Sequence, residues 1–263
     1  MDRRHLITAA AAGTAATFIP TGVANAHPGG GGNAGAAELQ RTMLRHLSRE
    51  LDDVRTAKAT VPRIFEVGFN WHPPTTRLSK IDFLLAFAFG NRPPANGGDP
   101  TRVLPEPGPM NEDLADTVMK VLKRAGRKLP VYAQWEIARH LNAKHGFTGV
   151  VSIEPVFAPD GTITYLSTDG VIAQVAELRA NEPGGVGTAG VIAFRDHVKR
   201  CVQTTRARGV AAFAPQGFAM PNTYDPDSAQ AWTRDRDIYL VHDMYAQLAA
   251  LRTELIDGRY PNG

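Results

Sequence analysis

Ile81-Asp82-Phe83-Leu84-Leu85-Ala86-Phe87-Ala88-Phe89, closed by Gly90, is the stretch that decides the fold. Beyond Asp82 it is apolar at every position. A strand with one face in water alternates apolar and polar residues. A run without alternation is buried on both faces, the profile of a central strand in a parallel sheet between two helical layers. Downstream, residues 111–125 carry Leu114, Val118, Val121 and Leu122 on one side of a helix, Val131 to Trp135 is a short strand, and Glu136 to Leu141 a helix. After the turn Pro159-Asp160-Gly161 come the strand Thr162 to Leu166 and a helix from Asp169 to Arg179. Then follow a strand Gly190 to Phe194, a helix His197 to Arg208, a strand Val210 to Ala214, and a long helix from Ala229 to Ile256. Upstream, Leu39, Met43, Leu47 and Leu51 repeat at a spacing of four, which predicts a helix over 37–58. Strands alternating with helices predict an α/β, doubly wound, mostly parallel, Rossmann-like sheet with helices on both faces. Residues 37–263 read as one domain without internal repeat.

The chain opens Met1-Asp2-Arg3-Arg4-His5-Leu6-Ile7, continues through an alanine-rich apolar stretch to Pro20, and reaches Ala24-Asn25-Ala26. Basic, apolar and small-residue regions in that order form a secretory signal, too short and too weakly apolar for a membrane anchor. The paired arginines resemble the twin-arginine consensus, which delivers folded proteins to the twin-arginine export machinery. Residues 1–26 are therefore expected to be a removable signal, with 27–36 a flexible Gly-rich leader. The expected location is outside the cytoplasm: extracellular, cell-wall associated, or periplasmic if the cell has an outer membrane.

The formal charge of +3 loses Arg3, Arg4 and Asp2 with such a signal, leaving +2, too little to suggest nucleic acid or a membrane surface as partner. No apolar run after the signal is long enough for a membrane span. Cys201 is the only cysteine, which excludes an intramolecular disulfide and cysteine-based zinc or iron–sulfur sites; it reads as a packed thiol on a helix.

Gly185-Val186-Gly187-Thr188-Ala189-Gly190 imitates a dinucleotide fingerprint, but it precedes a strand instead of following one, so it reads as a loop. There is no phosphate-loop motif and no Gly-x-Ser-x-Gly elbow, and His140 and His145 are five apart, the wrong spacing for paired metal ligands. No cofactor and no metal are expected. Position in the fold says more than motif, because open parallel sheets hold ligands beyond the carboxyl ends of their strands. Those ends carry Gly90, Asn91 and a long Pro- and Gly-rich loop to Asn111, then Gln134 and Glu136, then Thr168 and Asp169, then Arg195, His197 and Arg200, and finally Gln216. Asn111 and Asp169 also suit helix N-caps. His197 and Arg200 share one face near a helix start, where a cation opposes the helix dipole, so the pair points to a bound anion. His72 reads as a hydrogen-bonded loop residue, Tyr224 to Ser228 as a turn, and Trp232 to Arg234 as the start of the last helix.

The blocks PGPMNEDLADTVMKVL, PVYAQWEIARHL, STDGVIAQV, HVKRCVQTTRARGV and YDPDSAQAWTR, in this order, resemble a divergent actinobacterial branch of the YdcF/SanA/ElyC-like proteins over residues 80–245. His197-Val198-Lys199-Arg200 matches the family's His-x-x-Arg step into a helix, and Glu136 its acid after the second strand. The family's glycine run is shortened here to Gly90-Asn91, and Thr168-Asp169 is the nearest match to its Thr-x-x-Asn signature. The resemblance implies a Rossmann-like fold, a role in envelope biogenesis and a nucleotide-like or other anionic ligand.

The expectation is thus a small anionic ligand held by Gly90, Asn91, Asn111, Gln134, Thr168, Arg195 and Arg200, with His197, Glu136 and Asp169 as candidate catalytic groups. Catalysis would require His197 to meet one of those acids. Two alternatives stand: a non-catalytic cell-wall binding or scaffolding module, and an exported serine hydrolase using Ser167.

Overall fold

The structure, a computed structural model, describes residues 32–182 and 185–261. The expected signal and residues 27–31 of the expected leader lie outside the described residues. Six strands form one parallel sheet in the order β1-β8-β7-β2-β3-β4: β1 (Thr75–Thr76), β2 (Phe83–Ala86), β3 (Val131–Gln134), β4 (Val150–Ile153), β7 (Thr188–Ile192) and β8 (Ala211–Pro215). A separate antiparallel hairpin is made by β5 (Val156–Phe157) and β6 (Ile163–Thr164). The helices are α1 (Gly32–Glu50), α2 (Val54–Phe69), α3 (Pro109–Ala125), α4 (Trp135–His145), α5 (Thr168–Ala180), α6 (Val198–Ala207) and α7 (Arg236–Arg259).

The Ile81 run forms β2, near the sheet's middle, paired with β3 on one side and β7 on the other. Its side chains divide between two cores. Leu84 and Ala86 join Leu114, Val118 and Val121 of α3 and Ile137 and Leu141 of α4. Phe83, Leu85 and Phe87 join Val171, Ile172 and Val175 of α5 with Cys201 and Val202 of α6. Helices therefore cover both faces, as a continuously apolar strand requires.

Four expected elements differ, the first being the last helix, which begins at Arg236 behind the Asp235 cap and not at Ala229, after a separate 3-10 turn over Ala231–Thr233. The helix over 37–58 is two helices, α1 and α2, broken at Leu51-Asp52-Asp53, where Asp52 takes a φ of 48° and the Asp53 side chain accepts from the Thr56 amide to cap α2. α1 also takes in residues 32–36, the last part of the expected leader. Thr162 to Leu166 is not a sheet strand: Ile163–Thr164 folds back on Val156–Phe157 around the Pro-Asp-Gly turn. The sheet position beside β3 belongs to β4.

The long loop after β2 is pinned at several points. Arg92 and Glu106 exchange both backbone hydrogen bonds, the Ile163 amide donates to the Thr101 carbonyl, and the Arg102 guanidinium donates to the Asp160 carbonyl.

Candidate functional site

From β2 the chain winds outward through β3 and β4, then crosses back to β7 and β8 on the other side. The crevice where an open sheet takes a ligand therefore lies at the carboxyl ends of β2 and β7. Here it is filled by the protein's own aromatics. Phe89, after β2, stacks on Phe194, after β7, with centroids 3.9 Å apart and planes 6° from parallel. Tyr224 meets Phe194 edge-on at 4.7 Å and Tyr239 of α7 meets Phe89 at 4.6 Å. Such pairings add to the gain from burying large rings.

The polar residues expected to hold a ligand instead hold the chain where it leaves β2. Asn111 accepts from the Phe89 amide at 2.9 Å and donates to the Gly90 carbonyl at 2.8 Å. Gln134 accepts from the Ala88 amide at 2.8 Å. Gly90 has a φ of 65°, and an added Cβ would stand 2.7 Å from Met110 Cε and 2.8 Å from Thr233 Oγ1, so only glycine fits without displacement. The Asn91 carbonyl accepts from the Ala229 amide and the Ser228 hydroxyl.

The charged residues pair among themselves. Arg195 and Arg236 both donate to the buried Asp196 carboxylate, which also accepts from Tyr224 Oη. Arg92 binds the buried Asp225. Arg200 reaches Asp243 of α7 at 2.6 Å, Thr168 Oγ1 at 3.2 Å and Tyr239 Oη at 3.2 Å. His197 Nδ1 lies 3.6 Å from the same Asp243 carboxylate. Burial, with the Arg200 charge beside it, pushes the His197 imidazole down to about 4. Burial pushes the Asp243 carboxyl up, but the His197 ring and the Arg200 guanidinium outweigh it and hold the group below the usual carboxylate range.

The three candidate catalytic groups are not joined. Asp169 is ion-paired with Arg208 on the surface. Glu136, fully buried at the start of α4, has no hydrogen-bond partner on either carboxylate oxygen. Burial pushes its carboxyl up to about 8, despite a first-turn position where the helix dipole favours the charged form. Trp135 Nε1 and His140 Nε2, also on α4, are likewise buried without partners. Ser167 caps α5 by accepting from the Gly170 amide, a structural use of the hydroxyl. Among the described residues no cluster of His, Cys, Asp and Glu could hold a metal ion, and no helix is long and apolar enough to cross a membrane.

A cleft of roughly 670 Å³ lies elsewhere, lined by Arg77, Leu78, Lys120, Lys123, Arg124 and Gln216 to Phe218. Arg77 directly follows β1 and Gln216 directly follows β8, so two strand ends contribute to it. Its four cations lie on the surface, and among the described residues none enters an ion pair or a side-chain hydrogen bond. Lys120, Lys123 and Arg124 share a face of α3 at spacings of three and four, the one local trace of this cleft in the sequence. Arg77 comes from a segment more than forty residues away and gives no such sign.

No family model matches the chain, and no curated protein or solved structure matches it. The fold and the site define an α/β protein of Rossmann-like, doubly wound architecture whose usual ligand crevice is occupied by its own side chains.

Proposed function

We propose that the protein binds a small, multiply charged phosphate-bearing anion in the basic cleft formed by Arg77, Lys120, Lys123 and Arg124. The observation that supports it is four cations lining one cleft with no carboxylate in contact. Lys123 and Arg124 sit in the last turn of α3, where they also complement the helix dipole. Arg77 and Lys120 have no such reason to be there, and their mutual repulsion falls when an anion binds. The cations along the strand-end crevice, by contrast, are already neutralised by Asp196, Asp225 and Asp243.

In this reading the chain binds without catalysing, because His197 meets neither Glu136 nor Asp169. Its twin-arginine-like start and its resemblance to the YdcF/SanA/ElyC-like proteins support export and an envelope phosphate ester or nucleotide-like molecule as ligand.

The test is a calorimetric titration at low salt with inorganic phosphate, pyrophosphate, sugar phosphates and nucleotides. It uses the parent, a Lys120→Ala/Arg124→Ala variant and an Arg195→Ala/Arg236→Ala variant. Binding is expected in the parent and the strand-end variant, lost in the cleft variant and weakened by salt. At a hundred times the dissociation constant the ligand should add about 2.7 kcal/mol of stability. Loss in the strand-end variant alone would return the ligand to the crevice. No binding to any phosphate would favour the scaffolding module.

A further inference from the structure

Helix α7 carries apolar residues on both its inward and its outward sides. Its inward side carries the buried Tyr239, Asp243 and Gln247, the last two hydrogen-bonded to each other at 2.7 Å, flanked by the half-buried Leu240, Met244 and Leu251. Its outward face carries Ile238, Val241, Tyr245, Leu248, Leu255 and Ile256, all exposed, with Val241 at 64% and Tyr245 at 72%. Apolar residues left in solvent on a surface helix leave the gain from burying them unrealised.

The outward residues are not scattered. Ile238, Val241, Tyr245, Leu248, Arg252 and Leu255 follow one another at alternating steps of three and four, the heptad spacing by which two helices interlock. We propose that α7 pairs antiparallel with α7 of a second copy of this chain. Charge selects both the orientation and the occupant. In a parallel pair the two Arg252 side chains would face each other. In an antiparallel pair Tyr245 lies level with Leu248 of the second copy, Ile238 with Leu255, and Arg252 with Val241. Each Arg252 guanidinium then stands one turn from Asp237 of the other copy, an exposed acid without an ion pair among the described residues. The stripe is therefore complementary to its own reverse, as a two-fold interface requires. At 1.5 Å per residue the paired stripe from Ile238 to Leu255 offers a seam of about 26 Å.

Sedimentation equilibrium of the full chain across a concentration series tests this, with Val241→Glu/Tyr245→Glu as the disrupting variant. Both side chains are exposed, so the variant should keep its circular dichroism and melting temperature at high dilution. The parent is expected to dimerise, and the variant to do so more than tenfold more weakly, a difference above about 1.4 kcal/mol. Orientation is read by oxidation of single replacements in the parent. Tyr245→Cys, near the two-fold axis, should form an intermolecular disulfide, and Ile238→Cys, far from it, should not. A parent that stays monomeric, a folded variant that dimerises as the parent does, or a disulfide through Ile238→Cys would each overturn the proposal. None of these readouts involves the basic cleft, so the anion reading stands or fails separately.

Discussion

Asn111 shows how a single amide can decide a local structure. Beyond Phe87 the chain leaves the β ladder, and the Phe89 amide and Gly90 carbonyl must find partners inside a packed region. Asn111 serves both with one side chain. Asn111→Leu keeps the volume but leaves two buried backbone groups unpaired, at about 1–3 kcal/mol for each. The expected loss is about 2–6 kcal/mol in urea unfolding, and a loss below about 1 kcal/mol would mean that water takes over. The sequence places Asn111 and Gln134 correctly at strand ends, yet a polar residue there reads the same whether it faces a ligand or its own backbone. Only the left-handed Gly90, packed against Met110, Ser228 and Thr233, shows that the space is already taken.

At the scale of elements, one carboxylate joins α7 to α6. Asp243 faces Arg200 and His197, and its side chain is 1% exposed. Asp243→Ala should cost about 3–5 kcal/mol, because it leaves a buried guanidinium uncompensated. Double replacement of Asp243 and Arg200 by apolar residues should recover much of that loss, and failure of recovery in guanidinium unfolding would show that the pair matters for more than its charge. Elements with a strong core pattern, such as β2, α3 and α6, are legible in the sequence to within a few residues. The rest were hidden for physical reasons. β4 lies at the sheet edge with Val151 exposed, so its burial pattern is weak. Thr162 to Leu166 has the branched residues of a sheet strand, and only its tertiary partner shows it to be half of a hairpin. The break between α1 and α2 comes at Leu51, where the four-residue repeat ends, and is made by the Asp53 cap.

The whole molecule should carry the signature of two of its buried titrating groups, Glu136 and His197. Glu136 goes from 4.5 to about 8 on folding, so its contribution is full below pH 4.5 and is lost as pH rises to 8. His197 goes from 6.5 to about 4, so its contribution is full above pH 6.5 and is lost as pH falls to 4. Between 4.5 and 6.5 these two slopes oppose each other, and His140 and His242, whose imidazoles burial pushes down, add to the rise from His197. From 6.5 to 8 only Glu136 acts, and stability should fall by about 1.4 kcal/mol per pH unit. Glu136→Gln should flatten that alkaline fall, whatever its effect on absolute stability; urea midpoints at three pH values across the window decide it, and a slope equal to the parent's would refute the assignment. The crossover between β2 and β7 has a further consequence, in the order of synthesis. Phe83 pairs with Ala189, and Thr75 with Ala214, partners made more than a hundred residues later. While the ribosome is still adding α3, α4 and α5, β2 can acquire only β3 as a neighbour, and the flank meant for β7 stays open. The growing chain thus carries its most apolar strand as an unpaired edge for much of its elongation, and a chaperone that shields such edges has its longest opportunity there.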